Sequence, residues 1–190
     1  MQWTTDVRVA GSAGLGYLIT CAGTRGRPHP AELRAFRRAN ASSRAWLRVP
    51  QQLGTPWVPP VTSALLVACG HRRAAAAAAL VLPVGKGLEV LTKKVLQRPR
   101  PVAVTHTTLR DDAPEEGPAL PSGHAAIAAA TGYLLVREAA SSAVGLVVVA
   151  GVALASYARV QQGAHWPTDV AAGALLGLAV GAGLRVATGA

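Results

Sequence analysis

The sequence predicts an all-α protein: a polytopic membrane helix bundle with about six transmembrane helices and one short amphipathic helix at the membrane surface. Of its 190 residues, 51% are hydrophobic and only 15% are charged, whereas a soluble domain has about 25% charged residues. The apolar residues also fall in runs close to the roughly 20 residues that a membrane helix needs. We therefore expect a single membrane-embedded domain over 1–190, with an N-terminal part, 1–50, and a helix bundle, 51–190.

Six apolar runs predict the spans, and each of them carries no more than two charged side chains. The first is short for a span and resembles a signal peptide. It lacks a basic stretch before it and a small-x-small cleavage site, so we interpret it as a membrane helix. A five-span arrangement in which this run does not cross is the alternative. The runs are 9–24, 49–70, 74–92, 120–136, 139–158 and 166–184.

Two longer polar segments separate these runs. In segment 25–48, small and apolar residues alternate with Arg34, Arg37 and Arg38, which is typical of a basic amphipathic helix lying on a membrane surface. A solvated basic loop fits the same pattern. Segment 93–117 contains several prolines and clusters of acidic residues, which predict a loop.

The net charge of +10 favours anionic partners: a phosphorylated membrane lipid and the lipid bilayer itself. Nucleic acid is not expected, because the basic residues are not interleaved with aromatic ones and no nucleic-acid motif occurs. Cys21 and Cys69 lie in apolar stretches, where buried thiols are more common than a disulfide. No His/Cys cluster has metal-ligand spacing, so we expect neither a metal nor another cofactor.

A glycine ridge lies in the last run. Gly173 and Gly177 form a GxxxG pattern that Gly181 continues. Such a ridge lets two helices approach closely. We expect it to serve packing within the chain, with homo-oligomerisation through Gly173 and Gly177 as the second use.

Polar side chains inside membrane segments are costly, so each is a candidate for function. If every run crosses once, Lys93, His124 and the segment 159–169 share one face of the membrane. Lys86 and Glu89 lie three residues apart on one predicted helix, which favours a buried ion pair. A role in substrate access is the alternative.

The stretch Pro-Ser-Gly-His, 121–124, precedes an apolar run and so predicts a helix N-terminus with Ser122 as its cap. Free backbone N–H groups at such an end bind anions. His124 would then lie in the first turn, beside a bound phosphate.

A second histidine, His165, precedes Asp169 by four residues, and Pro167 between them suits the first turn of a new helix. A carboxylate bonded to one imidazole nitrogen fixes the tautomer and leaves the other nitrogen free to attack or to accept a proton. A purely structural hydrogen bond is the alternative.

Three cations fall on the same predicted face: Lys93, Arg100 and Arg159. Arginine matches phosphate oxygens with its planar fork, and lysine adds a point charge. Such a cage stabilises the charge of a phosphoryl group in transfer. Two histidines and this cage, with no carboxylate cluster for a metal, indicate metal-free phosphoryl transfer through a phosphohistidine.

The same residues form a three-part signature. Lys93-x6-Arg100-Pro101 is followed by Pro-Ser-Gly-His at 121–124 and by Arg159-x5-His165-x3-Asp169. In these parts and their order the chain resembles the type 2 phosphatidic acid phosphatase (PAP2) superfamily. One departure is that Ala158 stands where the third motif normally opens with serine, which puts the fine positioning of phosphate in question.

The resemblance implies roles for these residues. His165 would be the nucleophile, Asp169 the residue that orients it, and His124 the general acid. Residues that would hold the phosphate are Lys93, Arg100, Ser122, Gly123 and Arg159. The neighbouring Lys94 and Arg98 do not fit the register of the first motif and are interpreted as supporting or interfacial charges.

The function that follows is a metal-independent phosphatase acting on a membrane lipid, with a polyprenyl phosphate or diphosphate favoured over phosphatidic acid and phosphatidylglycerol phosphate. Vanadium-dependent haloperoxidases share the same cage, but they are larger soluble proteins. A non-catalytic transporter or scaffold is the remaining alternative. We expect an integral protein of a bacterial cytoplasmic membrane with its active site facing outside, although this orientation places segment 25–48 outside, against the positive-inside rule.

Overall fold

The computed structural model describes residues 2–24, 26 and 28–190, and the regular secondary structure of these residues is helical throughout. Short 3-10 turns at Ala45–Leu47, Gln52–Gly54 and Pro101–Ala103 interrupt the connections. The predicted all-α class is therefore confirmed. The α-helices are α1 (Gln2–Gly23), α2 (Pro30–Ala41), α3 (Arg48–Gln51), α4 (Val58–Ala68), α5 (Arg72–Leu96), α6 (Gly123–Arg137), α7 (Ser142–Gln161) and α8 (Pro167–Thr188).

Five of the six apolar runs each correspond to one helix, but the prediction of one continuous helix over 49–70 is wrong. The chain there forms α3, a 3-10 turn and then α4, which begins only at Val58. Gly54 lies in the turn, and a Cβ built on it would come within 2.6 Å of the carbonyl oxygen of His124. This run is broken because it must bring its backbone against the start of α6, which hydropathy alone does not reveal.

Within the residues that the structure describes, three helical segments are long and apolar enough to cross a membrane: Arg72–Ala103, Ser142–Gln161 and Pro167–Thr188. α4 is apolar but has only 11 residues. On α7 the large apolar side chains of Leu146 and Val147 are at least 70% exposed, as lipid-facing residues would be. The total of six spans stays a prediction.

α8 lies at the centre of the bundle and packs against α1, α5 and α6. The predicted glycine ridge makes the contact with α6: a Cβ built at Gly173 would overlap the carbonyl oxygen of Ser122, and one built at Gly177 would overlap that of Ala126. The ridge therefore serves close packing within the chain, as expected from its spacing. Homo-oligomerisation through the same glycines stays a prediction.

The two ends of the bundle differ in their contacts. At one end the short connection before α5 meets the end of α6, where the His71 imidazole lies 2.6 Å from a carboxylate oxygen of Glu138. Arg73 also donates to the carbonyl oxygen of Gly189 at 3.1 Å. At the other end, α5 and α7 finish while α6 and α8 begin, which is the arrangement predicted for the three signature motifs.

The predicted amphipathic helix is confirmed as α2, and its apolar face packs on the bundle. Phe36 is fully buried, with its ring centroid 5.0 Å from that of Trp166. Asn40 donates to the carbonyl oxygens of Thr108 and Gln161 at 2.8 and 3.0 Å. The arginines of α2 remain exposed, and their position at a membrane surface stays a prediction.

The two cysteines differ in environment. Cys21 is buried in α1, as predicted, whereas Cys69 after α4 is exposed, contrary to the prediction. Cys69 follows the last residue of a short helix, so its side chain is not covered by a neighbouring one.

Candidate active site

The three signature segments meet at the end of the bundle where α6 and α8 begin. The backbone N–H of Ser122 donates to the carbonyl oxygen of Asp169 at 3.0 Å, which joins the second motif directly to the third. Arg100 lies within electrostatic reach of both Asp169 and Arg159. The structure thus brings together residues that the sequence separates by up to 76 positions: Lys93, Arg100, Ser122, Gly123, His124, Arg159, His165 and Asp169.

His165 lies in the connection between α7 and α8. Its Nδ1 is 3.9 Å from the Oδ2 of Asp169, an ion-pair distance that is longer than a hydrogen bond. Burial lowers the pKa of His165 to about 4, against the opposing effect of the Asp169 carboxylate. The imidazole is therefore neutral at pH 7, so one of its two ring nitrogens carries no proton.

Asp169 is fully buried in the first turn of α8. Its Oδ2 accepts the backbone N–H of Trp166 at 2.9 Å, which closes the N-terminal turn of the helix. The carboxylate is thus fixed in place by its own helix, beside His165.

Arg98 takes the first of the two roles that the sequence left open for it, a supporting charge or an interfacial one. Its Nη1 donates to the Oδ1 of Asp169 at 2.5 Å and to the hydroxyl of Thr168 at 2.7 Å. Its Nη2 donates to a carboxylate oxygen of Glu32 at 2.7 Å, and the Arg98 side chain is only 1% exposed. Arg98 therefore supports Asp169 and is not an interfacial charge.

Glu32 brings α2 into the site. Besides accepting from Arg98, it accepts the backbone N–H of Thr168 at 3.1 Å. This N–H belongs to the first turn of α8, where a carboxylate is favourable. Glu32 is 66 residues from Arg98 and 136 from Thr168, so no local pattern pointed to it.

Arg159 and Arg100 are both anchored through only part of their guanidinium groups. Nη1 of Arg159 donates to Asp112 at 2.8 Å and to Gln162 at 2.9 Å, while its buried Nε has no partner. In Arg100, Nε donates to the carbonyl oxygen of Glu116 at 2.8 Å and Nη1 to that of Ala164 at 2.7 Å. Each arginine keeps donor groups for a ligand.

Lys93 is held by Glu89, for which the sequence predicted only Lys86 as a partner. The Nζ of Lys93 lies 2.6 Å from one carboxylate oxygen of Glu89, and the Nζ of Lys86 lies 2.9 Å from the other. The predicted ion pair between Lys86 and Glu89 forms, but it is not buried as expected, because the Lys86 side chain is 57% exposed. A Cβ built at Gly123 would come within 2.5 Å of the carboxylate, so this glycine lets Glu89 reach the start of α6.

Ser122 caps α6 as predicted, because its Oγ accepts the backbone N–H of Ala125 at 3.5 Å. His124 follows in the first turn, and its Nε2 is buried without a partner. The Oδ2 of Asp112 is 3.9 Å from this nitrogen. Ser122 is fully buried, so its main role in the structure is to form the helix end that presents His124.

The unpartnered nitrogens have a chemical consequence. His124 Nε2 and Arg159 Nε are both buried and unbonded, and leaving a buried polar group unpaired costs about 1–3 kcal/mol. A tetrahedral oxyanion would supply acceptor oxygens to such donors. Among the residues that the structure describes, no three or more His, Cys, Asp or Glu side chains are grouped as a metal site would require; the expectation that no cofactor is used stays a prediction.

Comparison with known proteins identifies the class. The profile of the PAP2 superfamily matches residues 66–189, about two thirds of the chain, so the protein belongs to the PAP2 superfamily. With its helices long enough to span a bilayer, it is an integral membrane protein.

Individual relatives agree with this class. The chain is 31% identical over 121 residues to an undecaprenyl-diphosphatase of Sulfolobus acidocaldarius, a match that covers 64% of this chain and 58% of that protein. The chain thus spans less than two thirds of the length of this curated relative.

Two solved structures share the fold. One is the PAP2-type phosphatidylglycerolphosphate phosphatase of Bacillus subtilis, with a TM-score of 0.74 at 21% identity over 93% of this chain and 94% of that one. The other is LpxE of Aquifex aeolicus, with a TM-score of 0.69 at 22% identity over 78% of this chain and 91% of that one. At these identities the likeness concerns the fold.

Proposed function

We propose that this protein is a metal-independent lipid phosphatase that hydrolyses a phosphomonoester or diphosphate on a membrane lipid. The observation that carries the proposal is the convergence of the buried His165 and of His124, whose Nε2 is buried, with two partly anchored arginines at one end of a membrane helix bundle. The favoured substrate is a polyprenyl phosphate or diphosphate, since the curated relative is an undecaprenyl-diphosphatase.

In the proposed mechanism, Nε2 of His165, the ring nitrogen that is not paired with Asp169, attacks phosphorus. The bond from phosphorus to the leaving oxygen breaks at the same time. His124 donates its proton to that oxygen, which remains with the lipid as a hydroxyl or, for a diphosphate, as a monophosphate. Water then attacks the phosphohistidine, the phosphorus–nitrogen bond breaks, and His124 takes up the proton of the water. Asp169 keeps the imidazole of His165 oriented throughout.

The remaining predicted residues hold the phosphoryl oxygens in this proposal. The cationic groups act on equatorial oxygens, where negative charge is concentrated during transfer. The start of α6 adds backbone N–H groups and the positive end of its dipole. The residues assigned to phosphate binding are Lys93, Arg100, Ser122, Gly123 and Arg159.

The test is phosphate release in detergent with EDTA present, using wild type and His165→Ala on four lipids: a polyprenyl diphosphate, a polyprenyl monophosphate, phosphatidic acid and phosphatidylglycerol phosphate. Wild type should release phosphate, fastest from a polyprenyl substrate, and His165→Ala should release none. Faster release from phosphatidylglycerol phosphate or phosphatidic acid would replace the substrate class. Strict dependence on added Mg²⁺ would contradict the metal-independent mechanism, and no release from any lipid would favour a non-catalytic role.

We also propose that the protein lies in a bacterial cytoplasmic membrane with this site facing outside. In that orientation Arg72, Arg73 and Arg137 face the cytoplasm, in accord with the positive-inside rule, whereas the arginines of α2 face outside. In a cysteine-free background, Glu115→Cys should react with a membrane-impermeant maleimide in intact cells and Arg73→Cys only after lysis. The reverse labelling pattern would place the site on the cytoplasmic side.

A further inference from the structure

The acidic loop, residues 109–117, contacts the proposed phosphate site at several points. Its sequence is LRDDAPEEG. Asp112 bonds to Arg159, and the carbonyl oxygen of Glu116 bonds to Arg100. Asp111 in turn accepts from the side-chain amide of Gln162 at 2.9 Å. The loop therefore contacts both arginines that are proposed to bind phosphate.

Asp112 has the most direct position. Its Oδ1 accepts from Nη1 of Arg159 and from the side-chain amide of Gln51, both at 2.8 Å. Its Oδ2 is 3.9 Å from the Nε2 of His124. The side chain of Asp112 is 55% exposed, whereas that of Arg159 is 2% exposed. A half-exposed carboxylate thus holds a buried cation and borders the proposed acid.

The way in which Arg159 is held leaves one edge of its guanidinium open. Nη1 is bonded to Asp112 and Gln162, and Nε is buried without a partner. A guanidinium binds two oxygens of a phosphate in a bidentate manner when two adjacent N–H groups point the same way. With Nη1 anchored, the edge formed by Nε and Nη2 is the edge available for a ligand.

We propose that Asp112 is a positioning residue, which anchors Arg159 so that its free edge faces the phosphoryl group of the substrate. This inference rests on the proposed function. A charged carboxylate suits this anchoring role of Asp112. Burial alone would raise the pKa of Asp112, but the positive charge of Arg159 lowers it below its usual value. Asp112 is therefore ionised at neutral pH, and its bond to Arg159 is charge-assisted.

The contact between Asp112 and Arg159 also allows the opposite interpretation, in which Asp112 blocks the phosphate site, and an experiment can distinguish the two. If the Asp112 carboxylate stood in the place of the phosphate, it would compete with the ligand, and its removal would tighten phosphate binding. The structure favours anchoring, because Gln51 binds the same oxygen as Arg159 and because Nε of Arg159 remains open. Removal of an anchor should weaken phosphate binding.

The experiment measures the Kd of inorganic phosphate and of orthovanadate by titration calorimetry in detergent, together with KM and kcat for the best lipid substrate. Asp112→Asn, which keeps the shape of the side chain, should weaken phosphate binding roughly tenfold, as expected for the loss of a charge-assisted bond. KM should rise by a similar factor, with kcat less affected. The matched control is Glu115→Gln, which makes the same charge change at an exposed position of the same loop and should bind phosphate as wild type does.

A second pair of variants separates anchoring from general damage. In an Arg159→Lys background the fork is already lost, so adding Asp112→Asn should cost at most about twofold more. Tighter phosphate binding by Asp112→Asn, or binding equal to that of wild type, would overturn the anchoring role alone. An equally large loss in the Arg159→Lys background would also overturn it, and wild type that binds no phosphate would overturn the proposed function as well.

Discussion

Arg98 donates to Asp169 at 2.5 Å in an ion pair whose two side chains are 1% and 0% exposed. The arginine lies two residues before Arg100 of the first signature motif, and the aspartate ends the third motif. The aspartate that we propose to orient His165 is thus itself held in place by a buried cation. Because Glu32 binds the same guanidinium, the support extends to α2.

This pair predicts different outcomes for two substitutions of Arg98. Arg98→Gln leaves two buried carboxylates, Glu32 and Asp169, without their cation, and breaking a buried pair costs about 3–5 kcal/mol. Arg98→Lys keeps the charge but cannot bond in the forked geometry, so it should fold and lose roughly tenfold or more in kcat. Thermal unfolding in detergent measures the stability loss of Arg98→Gln, and steady-state kinetics measures the kcat of Arg98→Lys. Lys94→Gln is the exposed control, and a wild-type kcat for Arg98→Lys would contradict the role.

The proposed acid role of His124 predicts a dependence on the leaving group. His124→Ala should lower kcat by roughly 10²–10⁴-fold on a lipid phosphate, whose alkoxide is a poor leaving group. The loss should be far smaller with an aryl phosphate such as p-nitrophenyl phosphate, which needs no proton to leave. His165→Ala should abolish turnover of both substrates. If His124→Ala lost the same factor with both, His124 would not be the acid.

The environment of His165 predicts the acid limb of the pH profile. Burial places its pKa at about 4, and only the unprotonated imidazole can attack. Lowering the pH through 4 therefore removes the nucleophile, whereas at pH 5 and above it is unprotonated. Since kcat/KM reports the free enzyme, its acid limb due to His165 should lie near pH 4. Asp169→Asn removes the charge that favours the imidazolium, so it should move this limb to lower pH; a shift upward would show that Asp169 does not act in this way.

The contact between α6 and α8 predicts a stability effect. Gly177→Ala places a methyl group against the backbone carbonyl of Ala126, and overpacking typically costs about 1–3 kcal/mol. Its Tm should fall by several degrees, because 1 kcal/mol corresponds to roughly 2–4 °C in a chain of this size. Gly183→Ala on the same helix is the control, since nothing lies within 4 Å of a Cβ there, and equal Tm values for the two variants would contradict the packing argument.

The sequence predicted the parts of the site in which residue type and spacing carry the chemistry. His165 and Asp169 lie four residues apart at the start of α8, and Ser122 caps α6 by the usual chemistry, so both could be predicted from local sequence. The partners of Arg98 could not be predicted in this way, because they are 66 to 71 residues away and only the tertiary structure brings them together. No role was predicted for Asp112 for the same reason, because its partners Gln51 and Arg159 are distant in sequence and its own segment was interpreted only as a loop.

The same limit explains the break in the second apolar run. Hydropathy measures how well a segment tolerates lipid, and residues 49–70 are uncharged throughout. It does not measure where the backbone must approach another helix, as Gly54 approaches His124. The predicted helices were therefore right in the five runs that form single helices. The prediction was wrong for residues 49–70, where the backbone must approach the candidate site.

The segment shared with the PAP2 superfamily begins at residue 66, but the site does not. Glu32, Phe36 and Asn40 recur every four residues along α2 and meet, in turn, the buried arginine, the indole of Trp166 and the end of α7. A protein shortened to the shared segment would keep every signature motif and lose the face that closes over Asp169. Domain boundaries drawn from motifs alone would thus yield a fragment that contains His165 and Asp169 but lacks the helix that packs beside them. We expect an active chimera to require α2.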